Sequence, residues 1–187
     1  VTGRHRVGDG GVDVTVDVPI SGGENVMVPV IRAVVHRTGD PRTILLQRRD
    51  IAGEVVRGRL EIPGGRWRAG EAPDEAITRE VAEETGLVIA HVAGVVRHEF
   101  EGRVVVSDVT PLVVVAGGSG AFPATHVVLI ARADGEPRPE AGETADVRWW
   151  SLADVSKLLA ADVDAFIPST AVAVRAYLRH LEGQQTE

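Results

Sequence analysis

The chain has 187 residues, 44% hydrophobic and 25% charged, with a net charge of −7 and no cysteine. This describes a globular chain able to bury a core; the acidic balance argues against a nucleic-acid partner held by phosphate neutralisation, and the missing cysteines exclude disulfides, thiolate metal sites and thiol nucleophiles. There is no run of about 18 apolar residues and no apolar signal core at the start, so no membrane partner and a cytoplasmic location are expected.

Residues 1–11 are polar and Gly-rich and are expected to be loose. VDVTVDV (12–18) alternates apolar and polar residues, the pattern of a half-exposed strand. SGGEN (21–25) is a turn, VMVPVIRAVVH (26–36) a buried strand, TGDPR (38–42) a turn and TILLQRR (43–49) a second buried strand. The segment 51–65 is loop-rich, with a short strand near Arg59–Ile62. A helix is predicted over 73–85. Pro73 suits its first position, Asp74 and Glu75 complement the positive end of its dipole, and Gly86 is placed to cap it. Strands are expected within 87–100, 103–117 and 125–133, with a break at 117–123. An acidic loop spans 134–146 before a short strand, VRWWSL (147–152), whose alternation turns one of Trp149 and Trp150 inward. Two helices close the chain. The whole, 1–187, reads as one α/β domain: an N-terminal extension with a strand (1–25), a core (26–158) and a C-terminal helix (159–187).

The central helix carries an unusual load of carboxylates. At about 100° per residue, Ile77 and Val81 mark its apolar stripe, and Glu80, Glu83 and Glu84 fill an arc beside it, with Glu84 almost in line with Ile77. A solvated acidic face is the common reading of such a run. Here at least one carboxylate is carried to the edge of the core, where it must shift its pKa or find a cation. Spacings of three and four residues let these side chains converge. Oxygen donors of this kind suit a hard cation, Mg²⁺ or Mn²⁺. Arg79 is placed to pair with Glu71 across the loop–helix junction.

The stretch from Gly65 to Leu87 resembles the box of the Nudix hydrolase family: Gly65, Glu71, Arg79-Glu80, Val81, Glu83-Glu84, Gly86 and Leu87 occupy its specified positions. The resemblance implies an α/β/α sandwich with a mixed β-sheet. It also implies metal-dependent hydrolysis of a diphosphate bond in a nucleoside diphosphate linked to another group. By the same resemblance Glu80 and Glu84 ligate the metal, Glu83 does so directly or through water, and the carbonyl of Gly64 or Gly65 adds a ligand. Glu71, Arg79 and Gly86 are structural. The family's general base often lies on a C-terminal loop, which here offers Glu136, Glu140 and Glu143, with Glu143 favoured and Glu140 second.

Substrate signals are weaker. Arg48, Arg49, Arg57 and Arg59 are candidates to meet a phosphate or terminal sugar, although such arginines are more often surface pairs. Trp67, Phe100, Phe122, Trp149 and Trp150 are the aromatic candidates. Of these, Arg48, Arg59 and Trp67 are the expected substrate contacts. His98 and His126 are secondary ligand candidates. The N-terminal strands resemble those of nucleoside-diphosphate-sugar hydrolases, many of which dimerise, so a homodimer is the oligomer in view. ADP-ribose or a nucleotide sugar is the expected substrate, ahead of a nucleoside triphosphate. An isopentenyl diphosphate isomerase shares the fold but usually needs a catalytic cysteine. A nucleotide-sensing module without turnover is the alternative from another class; the intact box argues against it.

Overall fold

The computed structural model describes residues 2–7, 14–19, 27–100, 104–117, 124–139 and 142–184. Strands β1 (Thr2–Val7) and β2 (Val14–Pro19) pair antiparallel as a two-stranded ribbon. This corrects the expectation of a loose start: the polar residues gain a partner for their backbone donors and acceptors along the whole of β2, which outweighs their weak strand propensity. The turn expected at 21–25 lies outside the described residues, as does the break expected at 117–123 except for Gly117, which is in a strand.

β3 (Val28–Arg37) and β4 (Asp40–Arg49) follow, joined by a turn tighter than TGDPR suggested, because Asp40 already pairs with Arg37. Then come β5 (Leu60–Glu61), β6 (Gly64–Arg66) and α1 (Pro73–Thr85). β7 (Ile89–Ala93) leads into a separate hairpin of β8 (Val95–Phe100) and β9 (Val104–Val109). β10 (Val113–Gly117), β11 (Ala124–Ala133) and β12 (Thr144–Ser151) complete the strands. β12 starts earlier than VRWWSL implied, which shortens the acidic loop. The chain ends in α2 (Leu152–Ala161) and α3 (Pro168–Gly183). No described helix is long and apolar enough to cross a membrane.

The main sheet has the order β10-β11-β3-β4-β12, with β7 added to β11. β11 and β3 run parallel and the other pairs antiparallel, so the sheet is mixed. One face packs on α1 through Ile31, Ala33, Val35, Leu45, Ala76, Ile77, Val81 and Leu129. The other packs on α2 and α3 through Val34, Ile44, Leu46, Val128, Val155, Val174 and Tyr177. Trp149 and Trp150 are both half-buried, one against each core, so alternation separates them by face and not by depth.

One irregularity positions the site. β3 and β4 pair only near their hairpin, at His36 and Ile44, and then splay apart. β6 adds to β3, with Gly64 opposite Arg32 and Gly65 opposite Ile31. β5 adds to β4, with Glu61 opposite Gln47. The two residues between β5 and β6 therefore cross the gap, and Pro63 O accepts from Ala33 N at 3.1 Å.

Candidate active site

Helix α1 begins and ends as its sequence requires. Pro73 occupies the first turn, the Glu75 carboxylate accepts from Ala72 N at 3.1 Å, and Gly86, in the left-handed region at φ 67°, donates its N–H to Ala82 O at 3.0 Å. The buried stripe of Ala76, Ile77 and Val81 fixes its rotation, and each buried Ile or Val contributes about 1.5–3 kcal/mol. That rotation decides which carboxylates face inward.

Arg79 organises the outer side. Its Nε donates to Glu71 Oε1 at 2.6 Å and its Nη2 to Glu71 Oε2 at 2.9 Å, a bidentate pair. The same Nη2 reaches Arg66 O at 3.2 Å. Nη1 donates to Glu80 Oε1 at 2.6 Å and to Glu83 Oε2 at 3.1 Å. Glu71 also accepts from Arg68 N at 3.2 Å, and these bonds, Arg79 foremost, hold its carboxyl below the ordinary range. The expected pairing of Glu71 with Arg79 is thus present, and it ties the loop 66–71 to the helix.

Glu80 and Glu84 lie deeper. Burial raises the pKa of Glu80 despite the pull of Arg79. Its carboxylate lies against Gly65, where an added Cβ would collide with Glu80 Oε2. Glu84 is only 5% exposed. Its Oε2 accepts from Gln47 Nε2 at 2.8 Å and from Gly64 N at 2.9 Å. Burial first, and the nearby Glu61 second, push its pKa up to about 7. Gly64 sits at φ 134°, and a Cβ there would strike Ile31 O and Arg32, so no other residue brings this amide to Glu84.

Behind Glu84 lies a polar cluster that the motif does not announce. Glu61 is fully buried; Arg32 Nη1 donates to its Oε2 at 3.2 Å and to Ile62 O at 2.7 Å, and Arg49 Nη1 stands 3.7 Å from its Oε1. The available signal was a charged or polar residue inside an apolar strand, Arg32 in VPVIRAVV and Gln47 in ILLQRR.

Glu143 is exposed, but its carbonyl accepts from Asp50 N at 2.9 Å, and the next residue, Thr144, donates from Oγ1 to Glu84 O at 3.2 Å. The base of the acidic loop is thereby anchored beside the end of α1. Glu140 and Phe122 lie outside the described residues. Glu136 faces Arg37 at 3.5 Å. Arg48 is engaged by Asp146 at 3.2 Å and Gly58 O at 2.7 Å, Arg49 by Glu54 at 2.7 and 2.9 Å, and Arg57 by Asp50. Arg59 is half-buried, and its side chain has no partner among the described residues. Trp67 donates its indole N–H to Glu71 O at 3.1 Å and packs on the α1 side of the core, so it braces the loop. His98 is exposed on β8; His126 on β11 is half-buried, and burial pushes its pKa down to about 4.

Among the described residues no three His, Asp or Glu side chains converge as an ion site. Glu80 and Glu83 share Arg79, and Glu84 faces neutral donors. The donor chemistry still fits a hard cation: all oxygen, with two carboxylates, Glu80 and Glu84, that burial makes costly to hold ionised.

Residues 27–169 match the model of the NUDIX domain. The chain belongs to the Nudix family. It is a Nudix hydrolase, of the class that cleaves a diphosphate bond, and the family generally uses divalent metal ions such as Mg²⁺ and acts on small nucleotides. It is 29% identical over 108 residues to the 8-oxo-dGTP diphosphatase of Escherichia coli K12, covering 56% of this chain and 67% of that protein. It is 45% identical over 51 residues to a putative 8-oxo-dGTP diphosphatase 2 of Mycobacterium tuberculosis H37Rv, a match spanning 27% of this chain and only 36% of that one. The NUDIX domain of Shewanella oneidensis NrtR, solved with ADP ribose, superposes with a TM-score of 0.61 at 17% identity, over 87% of this chain and 93% of that one, which shows the shared α/β fold.

Proposed function

We propose that this Nudix hydrolase cleaves the diphosphate bond of a nucleoside diphosphate linked to a second group, ADP-ribose or a nucleotide sugar, using Mg²⁺, with Mn²⁺ as a substitute. The observation that carries the reading is Glu84: a carboxylate 5% exposed, hydrogen-bonded only by neutral donors among the described residues, with its pKa raised chiefly by burial, beside the half-buried Glu80. Burying a carboxylate this way is costly unless a cation compensates. Glu80, Glu83 and Glu84, with a carbonyl of Gly64 or Gly65, would hold the metal. The bound metal would neutralise phosphate charge and lower the pKa of a water molecule. Glu143 is the favoured acceptor of that water's proton, since its segment is tied to both Asp50 and Glu84, with Glu140 second. Arg59 is the favoured arginine to meet a phosphate, because Arg48 and Arg49 already serve carboxylates. Trp67 is a weaker substrate contact, its N–H being committed to Glu71.

A second reading, hydrolysis of an oxidised nucleoside triphosphate, is favoured by the relatives named 8-oxo-dGTP diphosphatases. One experiment separates the two. The protein is incubated with Mg²⁺ and ADP-ribose, nucleotide sugars, 8-oxo-dGTP or ordinary triphosphates, with Glu84→Gln alongside. Two monophosphates from ADP-ribose, lost in the variant, support the first reading. Pyrophosphate and a monophosphate from 8-oxo-dGTP alone replace it with the second. Equal cleavage by wild type and variant removes Glu84 from the chemistry.

A further inference from the structure

We propose that Gln47 is a positioning residue that fixes which oxygen of Glu84 is presented to the metal, an inference resting on the metal-binding reading of Glu84. Gln47 lies on β4 and is fully buried. A primary amide in that position is unfavourable unless it makes a bond that an aliphatic side chain does not supply. Its Nε2 makes one, to Glu84 Oε2 at 2.8 Å. Its Oε1 makes none. The donor end is therefore the one the amide uses, and the orientation is dictated by chemistry, since the reverse would set oxygen against carboxylate oxygen.

Two donors converge on the same Glu84 oxygen: Gln47 Nε2 and, at 2.9 Å, Gly64 N. They occupy the lone pairs of Oε2. Oε1 accepts no hydrogen bond among the described residues and is the oxygen left for a cation. The donors stand on opposite sides of the splay, Gln47 on β4 and Gly64 on β6 beside β3, so the carboxylate is gripped across the gap. The neutrality of Gln47 matters. Arg79 beside Glu71 satisfies both oxygens of its carboxylate and cancels its charge. An amide orients Glu84 and leaves the charge available. Ligands held in this way bind metal more tightly, and removing the orienting partner typically weakens binding or activity by about 10–100-fold.

The test uses Mn²⁺ alone as the probe, followed by electron paramagnetic resonance, with Gln47→Met and Glu84→Gln. Methionine keeps the length and volume of the side chain and deletes the donor. The expected result is Mn²⁺ affinity weakened roughly tenfold in folded Gln47→Met and more in Glu84→Gln. In the wild type, Mg²⁺ should also shift the Gln47 side-chain amide resonance, a readout that does not depend on the variant folding. A folded Gln47→Met with lowered melting temperature but unchanged Mn²⁺ affinity, or a Gln47 resonance that Mg²⁺ leaves in place, overturns the positioning role and leaves Glu84 as a ligand. Unchanged affinity in Glu84→Gln overturns the metal reading itself, and this inference with it.

Discussion

Glu71 and Glu84 bracket the same loop and helix, yet their carboxylates meet opposite surroundings. Glu71 is half-exposed and receives a bidentate guanidinium from Arg79 at 2.6 and 2.9 Å. Glu84 is nearly sealed from solvent and receives an amide and a backbone N–H, with a second buried carboxylate, Glu61, close behind. The first arrangement lowers a carboxyl pKa and the second raises it. The difference teaches how one acidic motif divides its work: the outer acid fastens the loop to the helix, and the inner acid is held in place by neutral donors, with no guanidinium bound to its carboxylate among the described residues.

The sharpest way to break this contrast is Glu84→Gln, which keeps the shape and removes the charge. Hydrolysis of the preferred substrate should fall by roughly 10²-fold or more, measured as phosphate-product release, with little loss of fold. Wild-type turnover in the variant would place the chemistry elsewhere.

The outer arrangement is tested by Arg79→Ala. It strips the cation from Glu71, Glu80 and Glu83 together and should cost roughly 1–3 kcal/mol in urea unfolding. A double-mutant cycle with Glu71→Ala should recover a substantial part of that cost. Strict additivity would mean that the pair, short as it is, contributes nothing measurable.

The opposite pKa shifts call for opposite pH responses in the protein freed of metal by chelator. Glu84 in the fold binds its proton more tightly than in the unfolded chain. Its contribution is present below the ordinary carboxylate range and is lost as pH rises through about 7. Glu71 behaves conversely: its contribution is present above the ordinary range and is lost as pH falls through its lowered folded pKa. Melting scans in EDTA should therefore show Glu84→Gln gaining on wild type between pH 5 and 8, and Mg²⁺ stabilising wild type more at pH 8 than at pH 5. A flat difference across that range would contradict the burial of Glu84.

Gly65→Ala should give the smallest effect. The new methyl group collides with the Glu80 carboxylate but not with backbone among its nearest neighbours, so Glu80 must move. Metal-dependent activity should drop about tenfold while the melting temperature changes by only a few degrees. Unaltered activity would show that Glu80 does not need its present position.

Much of this was written locally. The limits of α1 follow from Pro73 and Gly86, and the 100° periodicity set Glu84 beside Ile77, hence near the core. The pairing of Arg79 with Glu71 was legible because a loop and the helix it enters keep their ends close. Trp149 and Trp150 depart from the expectation because alternation assigns a face and not a depth, and depth depends on what α2 and the loop after β11 lay over each ring. The start of the chain became a strand because a partner was available in β2, which no property of residues 1–11 announces.

By itself, then, the amino-acid sequence determined the family, the helix that carries the acids and the hard-cation chemistry those acids favour, since each depends on residues within a few turns of one another. Only the tertiary structure decided that Arg32, Gln47 and Glu61 stand behind Glu84, that Gln47 lends it a hydrogen bond, and that Arg48 and Arg49 are committed to carboxylates. The physical reason is the splay of β3 from β4. It brings together groups 29 and 37 positions apart in the chain, and nothing in the local pattern of either strand encodes where the two will separate.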